Sequence, residues 1–93
     1  MPLMVELSPR AFRDLNALEK HNAKEILNDL ELLKTRPWPP APKIKKLNGY
    51  KNLYRIRVGQ YRAIDEAAEK SVVVHRIIDR KELERTLRNL WWD

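Results

Sequence analysis

Apolar residues recur along this chain with two different periods, and the change between them separates a helical first part from a stranded second part. Phe12, Leu15 and Leu18 fall three residues apart, which predicts an amphipathic helix over 9–20. Ser8 precedes it as an N-cap residue, with Pro9 at the first helical position. Asn22 and Glu25 have the spacing of a capping box, so a second helix is predicted over 22–35. Its apolar stripe is Ile26, Leu27, Leu30 and Leu33. Helices joined this tightly are expected to form an antiparallel hairpin. Ahead of them, Leu3 to Leu7 reads as a short strand.

Arg36 to Pro42 cannot be helical, because four prolines in six residues hold it extended. Trp38 within it is expected to seal a core edge. Beyond this link the period falls to two. Ile44 to Leu47 is a candidate strand, followed by the turn signal Asn48-Gly49. Leu53 to Val58 and Tyr61 to Ile64 read as strands joined by Gly59-Gln60, with glycine where a type II′ hairpin requires it. Ser71 to Ile78 is a further strand rich in β-branched residues. Leu83, Leu87, Leu90 and Trp91 return to helical spacing, which predicts a C-terminal helix.

Hairpin geometry converts this pattern into chemistry. With Gly59-Gln60 as the loop, Val58 pairs with Tyr61, Arg57 with Arg62, Ile56 with Ala63 and Arg55 with Ile64. Side chains alternate across a strand, so Tyr54, Ile56, Val58, Tyr61 and Ala63 share a face suited to packing on helices. Arg55, Arg57 and Arg62 share the other. Directly opposed arginines repel, and a phosphate between their guanidinium groups would relieve the repulsion. The competing reading is that Asp65, Glu66 or Glu82 neutralises them. The last strand adds His75 or Arg76 to the same face, depending on a register the preceding loop does not determine. His75 fits either a general acid–base role or a structural, hydrogen-bonded one.

The net charge of +6 sharpens the picture through its placement. Eight basic residues and no acidic one lie between Arg36 and Ile64, while the remaining 11 basic residues face all 13 acidic ones. A positive excess confined to one segment suits a polyanion or an acidic partner, against the plainer reading of a solvated basic surface. The absence of cysteine excludes thiol catalysis, disulfides and Cys-based zinc sites, and fits a reducing cytoplasm. No apolar run approaches the ~18 residues of a membrane span, and the N-terminus lacks the pattern of a secretory leader. Ninety-three residues are expected to form one domain over 1–93.

Three segments together resemble the core of the RelE/ParE toxins: Lys43-Ile-Lys-Lys-Leu-Asn-Gly-Tyr, Leu53-Tyr-Arg-Ile-Arg-Val-Gly-Gln-Tyr-Arg-Ala-Ile, and Val74-His-Arg-Ile-Ile-Asp-Arg-Lys-Glu. The resemblance spans residues 43–82 and favours the RelE-like branch. It implies an α+β fold: a mostly antiparallel sheet of about four to five strands, an N-terminal helical hairpin on one face and a C-terminal helix. It implies a toxin of a type II toxin–antitoxin system that cuts mRNA in the ribosomal A site, by 2′-OH attack on the neighbouring phosphorus, with no metal or cofactor. Its partners would be a cognate antitoxin, the ribosome and mRNA, and operator DNA only through the antitoxin complex, with no membrane. ParE-like inhibition of DNA gyrase, or a catalytically degenerate corepressor, are the alternatives.

By position, the resemblance casts Arg62 and Arg80 as phosphate-stabilising residues and matches Arg55 and Arg57 to positions that are often basic; Arg57 and, from its own chemistry, His75 are further catalytic candidates. Arg55, Arg57, Lys45, Lys46, Lys51, Arg76 and Lys81 would contact RNA. The chain departs from the pattern after Arg80: Glu82 to Leu87 contains no aromatic residue. Trp91, Trp92 or Tyr61 would have to stack a base instead. His75, Glu82 and Glu84 are the candidates for general base, since arginine stays protonated.

Overall fold

The computed structural model describes residues 2–91. Strand β1 (Met4–Leu7) leads into helix α1 (Pro9–Asn16) and helix α2 (Lys20–Leu30), which tightens into a 3₁₀ turn over Glu31–Lys34. Strands β2 (Ile44–Lys46), β3 (Leu53–Val58), β4 (Tyr61–Ala67) and β5 (Ser71–Asp79) follow. A 3₁₀ turn over Arg80–Glu82 then opens helix α3 (Leu83–Arg88). The five strands form one sheet in the order β1-β5-β4-β3-β2. Only the β1–β5 pair is parallel, so the expected α+β architecture is the one observed.

Local chemistry accounts for several boundaries. The Ser8 hydroxyl accepts from the Ala11 N–H at 3.1 Å and donates to the His75 carbonyl at 2.9 Å, so one side chain caps α1 and ties it to β5. The two helices differ from expectation at their junction. α1 stops at Asn16, four residues early, and α2 starts at Lys20 with Glu19 in the cap position. Asn22 and Glu25 therefore lie inside α2, and their capping-box spacing is not used. The break at 17–19 turns Leu18 back against the core. The 3₁₀ turn also has a packing reason. Its three-residue period brings Leu33 beneath Leu30, and both are buried.

Two apolar clusters sandwich the sheet. On one side Ala11, Leu15, Ile26, Leu30 and Leu33 pack onto Ile56, Val58, Ala63, Val72, Val74 and Ile77. This is the helix-facing side expected from the alternation. Trp38 closes its rim, edge-on to Tyr54 at 5.1 Å and donating to the Leu33 carbonyl at 3.0 Å. On the other side Leu53, Ile64 and Ile78 are covered by Leu90, with Leu83, Leu87, Leu47 and Tyr50 around them. The arginine-bearing face is thus half occupied by the C-terminal segment.

The register of β5 holds the one irregularity. Ile64 pairs with Arg76 but Asp65 with Val74, leaving His75 as an extra residue in a bulge. Val72, Val74 and Ile77 consequently all reach the helix side. Asp65 shares a row with Tyr54 and Val74, both part of the helix-side cluster. It is fully buried, and neither carboxyl oxygen has a hydrogen-bond partner. Burial pushes its carboxyl up to about 8.

Candidate functional site

The hairpin register is the one expected, residue for residue, from Val58↔Tyr61 to Arg55↔Ile64. Gly59 takes φ +59°, and Asn52 is the sole non-glycine residue with positive φ among those described, so the loop is of the II′ kind. Arg55, Arg57 and Arg62 alternate with helix-side residues and therefore lie on the face that carries Leu53 and Ile64. Lys45 joins them, opposite Arg55 on the neighbouring strand. Arg80 reaches the same end of the sheet, because its backbone N–H donates to the Gln60 carbonyl at the hairpin tip, at 2.8 Å.

Two of the four guanidinium groups, those of Arg55 and Arg62, are held by carbonyls. Arg55 donates to the carbonyls of Pro42 at 2.5 Å and Lys43 at 3.3 Å. Arg62 donates to those of Gly59 at 3.0 Å and Tyr61 at 2.9 Å. Their charges feel one another. The Arg62 pKa is lowered by burial first and then by Arg55, Arg57 and Arg80, with Asp79 opposing. Arg55 is lowered by burial and by Arg57. Among the described residues no carboxylate forms an ion pair with any of the four. The three carboxylates expected as neutralisers are all elsewhere. Asp65 is buried on the helix side. Glu66 holds His75 at 2.9 Å, and Glu82 holds Arg85 at 2.5 Å. Among the described residues the positive charge of this site is thus not matched by an ion-paired carboxylate, a state in which guanidinium groups keep their capacity for bidentate contact with an anion.

The remaining candidates divide. Lys51 and Lys81 are exposed, in the turn before β3 and immediately after Arg80. Lys46 donates to the Tyr50 carbonyl at 3.2 Å and pairs in register with Tyr54, away from the cluster. Arg76 is turned to α1, where Asp14 accepts from it at 2.7 and 3.1 Å and from the Ile77 N–H at 2.9 Å. The Asp14 hydrogen bond raises the Arg76 pKa against the effect of burial. His75 sits in the bulge, three positions along β5 from Ile78, the partner of Arg62. At ~3.3 Å per residue that is roughly 10 Å, so His75 is not brought to the cluster. Its ring is edge-on to Trp91 at 5.1 Å.

The expected base-stacking residues are likewise dispersed. Tyr61 points to the helix side, Trp91 lies beyond α3, and Trp92 is outside the described residues. Glu84 is exposed on α3. Sequence reasoning missed Asp14, which claims Arg76 across 62 positions, and no local signal announces such a pairing. It also missed the backbone carbonyls that aim Arg55 and Arg62, since carbonyls carry no residue signature.

A family model described as the ParE toxin of the parDE type II toxin–antitoxin system matches residues 5–84. The RelE1 protein of Methanocaldococcus jannaschii is 33% identical over 84 residues, covering 88% of this chain and 93% of that one. A chain of the archaeal RelE–RelB complex from Pyrococcus horikoshii superposes with a TM-score of 0.73 at 26% identity, over 86% of this chain and 97% of that one. A chain of the RelB–RelE complex from Methanococcus jannaschii gives 0.69 at 29% identity, over 85% and 94%.

Proposed function

The chain belongs to the ParE toxin family of type II toxin–antitoxin systems, in its RelE-like branch, and from that premise we propose that it is a ribosome-dependent endoribonuclease. The observation that carries the reading is the group of four arginines with no ion-paired carboxylate among the described residues. Cleavage begins when the 2′-oxygen attacks the adjacent phosphorus and the bond to the 5′-oxygen of the next nucleotide breaks. The products are a 2′,3′-cyclic phosphate and a 5′-hydroxyl. Negative charge grows on the phosphorane oxygens, where Arg62, Arg57 and Arg80 stabilise it. Arg55, Lys45, Lys51 and Lys81 extend the contact along the backbone. The 2′-hydroxyl proton passes to solvent, solvent returns a proton to the departing 5′-oxygen, and the ribosome supplies the alignment of the strand. His75 serves the structure, holding the bulge through Glu66 and the Ser8 cap.

The same premise supports an antitoxin partner, because the similar RelE structures were solved as complexes with RelB. Operator DNA would be met only through that complex. A second reading, inhibition of DNA gyrase, is favoured by the family model itself and by the lack of an aromatic residue shortly after Arg80. One experiment separates the two. The purified chain is added to ribosomes translating a defined message, 5′ ends are mapped, and gyrase supercoiling is assayed in parallel. New 5′ ends from the wild type but not from Arg62→Ala support the ribonuclease. Intact message with lost supercoiling overturns it in favour of gyrase. Absence of both activities leaves only the corepressor role.

A further inference from the structure

The hairpin tip separates the arginine cluster from a second, differently built recess. On its far side a cavity of about 340 Å³ is lined by Asn22 and Glu25 of α2 and by Val58, Gly59, Gln60 and Tyr61. The tip is braced from the arginine side by Arg62 on the Gly59 carbonyl and by the Arg80 N–H on the Gln60 carbonyl. From the recess side, the Asn22 amide donates to the Tyr61 hydroxyl at 3.4 Å. Gly59 presents no side chain, and a Cβ built there would meet nothing within 4 Å. A strand of nucleic acid can therefore pass close over the tip.

The chemistry of the recess is unlike that of the cluster. Glu25 repels phosphate, so the ligand that suits this cavity is neutral and carries hydrogen-bond donors. Asn22 and Gln60 offer both donors and acceptors in planar groups, Glu25 offers two acceptors, and Tyr61 offers a ring. These are the groups that read the edge and face of an unstacked nucleobase. We infer that this cavity is a nucleobase subsite, taking the base next to the phosphate held by the arginines and selecting one with an amino group. Guanine, whose N1–H and N2–H can both meet one carboxylate, fits best, and uracil fits worst. The inference rests on the ribonuclease reading, and it gives Tyr61, which cannot stack a base on the arginine face, a base to meet on its own side.

The test uses the folded wild-type chain, isotope-labelled for NMR, titrated with guanosine, adenosine, cytidine and uridine 5′-monophosphates and with ribose 5-phosphate. All five should move the backbone signals around Arg57, Arg62 and Arg80. Guanosine monophosphate should also move those of Asn22, Glu25 and Gln60, and bind roughly tenfold more tightly than the uridine compound, the worth of one paired base contact. Glu25→Gln, a change on an exposed helical position, should remove that difference while leaving ribose 5-phosphate binding intact. If every nucleotide behaves like ribose 5-phosphate, the subsite is refuted while the phosphate site survives. If none of the five binds, the subsite is refuted as well, while the ribonuclease reading is decided separately by the mapping of 5′ ends on translating ribosomes.

Discussion

Replacing Asp65 by asparagine should stabilise this protein at neutral and alkaline pH but not in acid. In the unfolded chain the carboxyl titrates near 3.8, whereas burial without a partner pushes it up to about 8 in the fold. Its own backbone N–H pulls the other way, less strongly than burial. Below pH 4 both states hold the proton, and ionisation costs nothing. Between about 4 and 8 the folded state keeps a proton that the unfolded chain has released, so stability falls as pH rises, by about 1.4 kcal/mol per unit. At pH 7 the cost is on the order of 4 kcal/mol, a large share of the ~5–15 kcal/mol that holds a typical domain. Above pH 8 it levels off. Asparagine keeps the shape without the charge, and its amide adds one unpaired N–H, a cost that is the same at every pH and leaves the divergence intact. Urea denaturation followed by circular dichroism at pH 5, 6, 7 and 8 measures the difference, since the other titrating groups are common to both proteins and cancel. The two stability curves should diverge by several kcal/mol between pH 5 and 8. Parallel curves would refute the argument, showing that Asp65 ionises freely in the fold.

Other changes test the site and its supports. Arg62→Ala and Arg80→Ala should each slow single-turnover mRNA cleavage by about 10²–10³ with an unchanged urea midpoint, and Arg62→Lys should recover only part, because lysine lacks the fork geometry. Arg57→Ala should weaken binding to a single-stranded RNA similarly for all sequences and lower the slope of log affinity against log salt by about 0.7, measured by fluorescence anisotropy. Asp14→Ala should cost about 2 kcal/mol in urea denaturation, because the Arg76 guanidinium and the Ile77 N–H both lose their acceptor.

The hairpin was readable from sequence because a two-residue loop beginning with glycine admits one register. From that register the faces follow by alternation. The capping of α1 was readable for a similar reason, Ser8 and Pro9 being local signals. What escaped depends on distant partners. The helix break at 17–19 answers to the core that receives Leu18 rather than to the capping-box pattern at Asn22 and Glu25. The bulge at His75 and the pull of Asp14 left neither His75 nor Arg76 in the arginine cluster, where simple alternation had offered one of them a place. Asp65 looked like a surface carboxylate because it follows three arginines in the chain, yet its parity along β4 sends it into the helix-side core. The arginine cluster itself was visible as composition, while its freedom from counter-ions depended on where Glu66, Glu82 and Asp14 turned.

The parallel pairing of β1 with β5 also sets the moment at which this protein becomes dangerous. Met4 meets Ser71 and Leu7 meets Val74, so the first strand waits for the last before the sheet can close. Arg80 emerges later still. During synthesis the arginine cluster is therefore incomplete for most of the chain's length, and an unfinished copy lacks the assembled site. Contacts far apart in sequence are also the slow ones to form, which lengthens the interval in which a partner translated nearby can capture the chain. Toxicity on this topology is a property of the completed molecule, timed by the order in which its strands appear.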